Sequence, residues 1–135
     1  MFTSLNEFGP LVLRLSLAAI FLYHGYGKLF GQPGPKGFAA WLASIHVPLP
    51  TLMAWVVALV EFGGGVALLF GVFTRLIALL LVVDMLVAII TVHWSKGFAA
   101  SKGGVEFPLS VLAGSLALVF SGAGAFALGS FGLPL

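Results

Sequence analysis

Ten Asp, Glu, Lys and Arg side chains are all that this chain of 135 residues carries, and 61% of it is hydrophobic. A soluble domain has about 25% charged residues; the 7% found here cannot clothe a water-facing surface. The chain therefore reads as an integral membrane protein. A helix needs roughly 20 mostly apolar residues to cross the hydrocarbon core. Four segments reach that length, at about 10–30, 50–70, 75–94 and 107–126. They predict an all-α, four-transmembrane-helix bundle forming a single domain. The opening MFTSLNEFG has no Lys or Arg ahead of the apolar run, so it does not resemble a cleaved signal peptide. The first span is expected to remain in the mature protein.

The rest of the composition excludes several function classes. There is no cysteine, hence no disulfide, thiolate metal site, iron–sulfur cluster or thiol chemistry within the chain. The net charge of +2 is small and split between loops, which excludes a nucleic-acid partner and leaves membrane lipid as the medium. The three histidines show no ligand spacing on one helix, so no metal site is expected.

Loops 1 and 3 contain the same pentapeptide, Lys36-Gly37-Phe38-Ala39-Ala40 and Lys96-Gly97-Phe98-Ala99-Ala100, 60 residues apart. Arg14-Leu15 and Arg75-Leu76 lie 61 apart. The near-constant offset suggests two repeated helical hairpins related by an axis along the membrane normal; the alternative is that each loop independently uses a Lys and a Phe at the interface. Phe38, Trp41, Leu42 and Ile45 fall at i, i+3, i+4 and i+7, a short interfacial helix in loop 1. Lys28, Lys36, Lys96 and Lys102 lie towards one side and Arg14 and Arg75 towards the other. Counting basic residues places loops 1 and 3 in the cytoplasm and both termini outside.

The few ionisable groups at membrane depth are costly there and mark a candidate functional site. Glu61 and Asp84 are each about ten residues into their spans, near the midplane at about 1.5 Å per residue. Arg14 is expected to pair with Glu61 inside one subunit. His24, Lys28 and Glu106 are expected to border one cavity open towards loops 1 and 3. Glu61 shares a helix face with Ala54, Ala58, Gly64, Gly65 and Leu68, which marks it as packed rather than lipid-facing. Ser110, Gly114, Ala117 and Ser121 make a second small-residue face. Asp84 and His93, nine residues apart, lie on opposite faces unless the helix breaks before His93. Arg75, Asp84 and His93 are secondary polar candidates. Each group also has a purely structural reading. Lys28 snorkels, Glu106 caps its helix, the histidines sit at headgroup level, and Asp84 is a neutral acid bonded to a carbonyl.

The run RLSLAAIFLYHGYGKLFG (Arg14 to Gly31), VEFGGGVALLFGVFTRL (Val60 to Leu76) and TVHWSKGF with GGVEFPL (Thr91 to Leu109) resemble the DoxX family of four-helix bacterial membrane proteins. The resemblance covers nearly the whole chain. It implies a bacterial inner-membrane location and makes Arg14, His24, Gly25, Lys28, Glu61, Arg75, His93 and Glu106 family-pattern positions. Asp84 is not carried over by it. The tail GAFALGSFGLPL lacks an acidic residue often found at the end of that family's last span. The family includes membrane subunits of quinol-linked and quinone-linked oxidoreductases. A quinone-interacting subunit of an oxidoreductase complex is thus the first expectation. His24, Lys28, Glu61 and Glu106 would be its catalytic groups, and Phe21, Tyr23, Tyr26 and Phe62 would offer ring contacts. The cofactor would be quinone, with no haem, flavin or metal motif, and the partner an oxidoreductase subunit or a second copy in a homo-oligomer. A non-catalytic assembly or maturation subunit is the alternative. A small proton-coupled transporter ranks below both, its one supporting feature being the Gly63-Gly64-Gly65 run.

Overall fold

Residues 4–131 are described by a computed structural model. Their five α-helices are α1 (Phe8–Phe30), α2 (Gly34–Ser44), α3 (Pro50–Phe70), α4 (Thr74–Ala88) and α5 (Glu106–Ser121). No strand occurs among these residues. The extreme ends, including residues 1–3 of the leader reading and residues 132–135 of the tail reading, lie outside the described residues.

The helix boundaries follow the sequence punctuation. Pro50 opens α3 at a position where its missing N–H costs nothing. Gly71 closes α3 in the left-handed conformation, at φ 69°, which a residue with a Cβ avoids. Three helical runs are long and apolar enough to span a bilayer: Leu5–Phe30, Pro50–Phe70 and Thr74–Lys96. The fourth, α5, is shorter and stops at Ser121 rather than near 126. Gly122 and Gly124, at φ 79° and 69°, turn the chain there.

Helices α1 and α3 pack antiparallel along their length, and α4 pairs with α5. The bundle is therefore two helical hairpins, side by side. The repeated pentapeptide is not equivalent in the two: residues 36–40 are α-helical within α2, whereas residues 97–99 form an irregular loop between short 3-10 turns. Local sequence is too weak to fix either shape. α2 packs on α3, and loop 3 has no such support.

The α1–α3 contact is close because glycines remove the side chains between the two backbones. A Cβ on Gly65 would lie 2.9 Å from the Leu22 backbone nitrogen, and a Cβ on Gly25 would collide with that of Phe62. Gly63 faces open space. Gly25→Ala is therefore expected to destabilise the protein by about 3 kcal/mol, the upper end for overpacking. Gly63→Ala is expected to stabilise it by about 0.5 kcal/mol through backbone entropy. Thermal unfolding in mild detergent measures both; equal effects would refute this packing. The triple-glycine run leaves α3 unbroken, and two of its members, Gly64 and Gly65, are buried where neighbouring helices approach.

The core is Leu17, Ala18 and Phe21 of α1, Leu68 of α3, Ala78 and Leu81 of α4, and Val111 and Leu118 of α5. The α3 face predicted to be packed, Ala54, Ala58, Glu61, Gly64, Gly65 and Leu68, is the face that is buried. The α5 expectation needs correction. Ser110, Ala117 and Ser121 are exposed, and Pro108, Val111, Ser115 and Leu118 are buried instead. Gly114 alone of the predicted face receives a neighbour, Leu13 and Leu17 of α1. Lipid is as apolar as the core, so small residues facing it incur no penalty.

Candidate functional site

Lys28 and Glu61 form an ion pair, Nζ to Oε2 at 2.6 Å. Glu61 is 4% exposed. The partner predicted for Glu61 was Arg14, and the antiparallel register explains the correction. Phe62 lies against Gly25 and Gly65 against Leu22, so Glu61 is level with the last turns of α1. Arg14 lies eight residues before Leu22, about 12 Å away along the axis.

Arg14, 1% exposed, serves the opposite end of the bundle. Its Nε donates to Ala123 O at 3.0 Å. One terminal nitrogen donates to Leu68 O and Leu69 O at 2.8 and 2.9 Å. The other donates to Ala125 O and Phe126 O at 3.0 and 3.4 Å. All five guanidinium N–H groups are thus engaged. They satisfy carbonyls of the last turn of α3, which have no intrahelical donor, and of the turn after α5. A cation is also favoured at a helix C-terminus.

The Lys28–Glu61 pair lies in the wall of an apolar cavity of about 270 Å³, framed by all five helices. Ile20 and Phe21 line it from α1, Met53 and Val57 from α3, Met85 and Ala88 from α4, and Pro108 and Val111 from α5. Phe38, Trp41 and Leu42 of α2 close it, and the Lys28 ammonium lies 5.4 Å from the centre of the Phe38 ring. The loop 1 helix is present as predicted, but its apolar face covers this cavity, a role that sequence periodicity alone did not reveal.

Asp84 approaches Glu61 from α4. Its Oδ2 is buried and has no hydrogen-bond partner. One cation and two carboxyls meet here, so the cluster is neutral only when it holds one additional proton.

His93 also lines the cavity. After Ala88 the helix widens into a π turn, Ile89–His93, which advances each residue through a smaller angle than an α turn does. Thr91 Oγ1 donates to Val87 O at 2.7 Å within this stretch. The break brings Asp84 and His93 to one cavity despite their spacing, which met the stated condition. The His93 Nδ1 lies 2.7 Å from Gly103 O. A carbonyl only accepts, so Nδ1 carries the proton and Nε2 of the neutral ring is an acceptor.

His24 lines the cavity at its edge and is exposed on its outer side. Its ring lies 6.1 Å from that of Phe107 on α5 and 5.4 Å from that of Tyr23. Glu106 does not line the cavity. It is exposed, and its Oε2 accepts from Ala100 N at 2.9 Å, closing loop 3. Of the predicted ring contacts, Phe21 lines the cavity, whereas Tyr23 and Tyr26 face outward, 78% and 58% exposed. Arg75 lies at the start of α4, at the far end of the bundle. Among the described residues no group of three His, Cys, Asp or Glu side chains could hold a metal ion.

The DoxX family model matches residues 9–94, from the start of α1 through Trp94. The chain belongs to the DoxX family. It is 35% identical over 125 residues to CatD of Bacillus subtilis, named as a candidate oxidoreductase, covering 93% of this chain and 87% of that one. It is 32% identical over 126 residues to the inner membrane protein YqjF of Escherichia coli, covering 92% of each. The inner membrane protein YphA of the same organism is 28% identical over 123 residues, covering 87% of this chain and 86% of that one. No solved structure matches. All five ionisable groups at the cavity, His24, Lys28, Glu61, Asp84 and His93, lie inside the DoxX match. Glu106 falls beyond it.

Proposed function

We propose that this DoxX-family protein is a quinone-interacting membrane subunit of an oxidoreductase complex. The observation that carries this reading is the convergence of Lys28, Glu61, Asp84, His24 and His93 on a cavity whose other walls, Thr91 aside, are apolar. A ring carrying two carbonyls needs such a slot with donors at its rim. Pockets for drug-sized ligands run to ~300–1,000 Å³; a volume of about 270 Å³ suits a single ring headgroup, whose prenyl tail would extend into the bilayer. The unpartnered Oδ2 of Asp84 is the kind of buried polar atom that a bound group relieves.

A quinone bound here would accept two electrons from a partner that supplies them, and two protons by way of this chain's own groups. The chain's own groups have the following roles in this reading. The Lys28 ammonium donates a hydrogen bond to a ring carbonyl oxygen and balances charge that develops there. Glu61 holds Lys28 in position. Glu61 and Asp84 together hold one proton, which would go to a ring oxygen as the ring is reduced. Nε2 of His93 takes a proton from the loop 3 side, its ring fixed by Gly103. Phe21, Phe38 and Met85 exclude water.

The test is to extract lipid from protein purified in mild detergent and to identify quinone by mass spectrometry, beside Lys28→Met. The expected result is close to one quinone per chain in the parent and at least about tenfold less in the variant, the loss of one charge-assisted contact. Folded parent protein devoid of quinone would overturn the proposal and favour the assembly subunit.

A further inference from the structure

The opposite end of the bundle carries a second recess, remote from the Lys28–Glu61 cavity. It occupies about 500 Å³ between the start of α4 and the turn that follows α5. Its lining includes Gly71, Thr74 and Arg75 from the α3–α4 connection and the first turn of α4, and Gly122 and Gly124 from the turn after α5, with no acidic residue.

Three donors meet there without a partner among the described residues. Arg75 has neither a hydrogen bond nor an ion pair among the described residues. Its guanidinium lies flat on the turn: a Cβ on Gly122 would be 3.3 Å from Nε and 3.4 Å from a terminal nitrogen. Thr74 is 6% exposed, and its hydroxyl is buried with no hydrogen-bond partner. The first turn of the fifteen-residue α4 has no side-chain cap, so its leading N–H groups have no partner within the helix. These N–H groups and the helix dipole present positive potential to the recess. Arg14, whose NH1 lies close to Gly71, adds to that field with all its own donors already used.

The requirement of such a place is a compact anion with several acceptor oxygens. A carboxylate offers two oxygens in one plane; a guanidinium, a hydroxyl and a helix N-terminus arrive from three directions. Tetrahedral phosphate has oxygens for all three. The recess lies where α3 ends and α4 begins, the depth at which lipid phosphates lie. We propose that the Thr74–Arg75 recess binds a phosphate group, supplied by a phospholipid headgroup or by free phosphate.

Calorimetric titration of delipidated protein in a neutral detergent tests this with three probes: dioctanoyl phosphatidylglycerol, dioctanoylglycerol and inorganic phosphate. The first is expected to bind at one saturable site. Arg75→Gln is expected to weaken it about tenfold, and Thr74→Val to weaken it severalfold. Arg75→Lys, which retains charge but not the fork, should recover part of the loss. Lys96→Gln, at the other membrane face, should leave affinity unchanged and unchanged helicity should verify the fold of every variant. Binding of the phospholipid without inorganic phosphate assigns the site to a lipid headgroup; comparable binding of both assigns it to free phosphate. Binding of dioctanoylglycerol as tightly as the phospholipid, affinity indifferent to Arg75→Gln, or no binding of either phosphate probe overturns the proposal.

Discussion

Glu61→Gln is expected to cost about 3 kcal/mol of stability, the lower end for removing one partner of a buried ion pair. The amide keeps the shape of the carboxyl and loses its charge, so the Lys28 ammonium loses its 2.6 Å partner and has only the more distant Asp84 carboxyl to balance it. Lys28 is 22% exposed at its side chain and can turn partly towards the interface, which is why the lower end applies. A double-mutant cycle with Lys28→Met isolates the pair. The double variant carries no stranded charge and is expected to regain most of the loss, with a coupling energy of about 2 kcal/mol. Additive losses measured by thermal unfolding would mean that the two groups do not act as a pair. Stability and quinone content need not move together in this series. The double variant is expected to fold well and bind no quinone, because the donor to the ring is gone.

Arg14→Met is expected to have a larger effect, about 4 kcal/mol. Five carbonyl contacts disappear, and buried carbonyls left without a donor cost about 1–3 kcal/mol each before the structure relaxes. The loss should be local first. Ala125 N donates to Glu7 O at 2.9 Å, a bond made where Arg14 holds the turn after α5. Hydrogen exchange at Ala125 is therefore expected to speed up more than exchange in the middle of α3. Arg14→Lys should rescue little, since three donors on one nitrogen cannot reach carbonyls on both α3 and the turn. Uniform acceleration along the chain, or full rescue by Lys, would show that Arg14 contributes charge rather than its fork of donors.

The architecture was legible because membrane solvent imposes a simple rule. The predicted spans at 50–70 and 10–30 match α3 and nearly match α1, and the buried face around Glu61 follows from small residues at helical spacing. Pairing was not legible. The length of an arginine suggested that it could reach Glu61, whereas the register set by Gly25 and Gly65 places Lys28 there. That register depends on which glycines meet which backbone, information that no single helix contains. Phe38, Trp41 and Leu42 announced an amphipathic helix without announcing what it covers. His93 reaches the cavity only through a widened turn, and Thr91 is the single local hint of it. Glu106 was grouped with His24 and Lys28 on depth alone; its direction was fixed by the loop 3 backbone, whose N–H at Ala100 it accepts.

The brevity of α5 has a consequence for the surrounding lipid. Its 16 residues rise about 24 Å, against about 35 Å for the 23 of α1, while the hydrocarbon layer is about 30 Å thick. One flank of the molecule is thus too short for the bilayer and the other too long. Acyl chains beside α5 must contract or splay, and those beside α1 must stretch or the bundle must lean, at fractions of a kcal/mol for each ångström. A neighbouring protein helix set against α5 would spare the lipid that distortion.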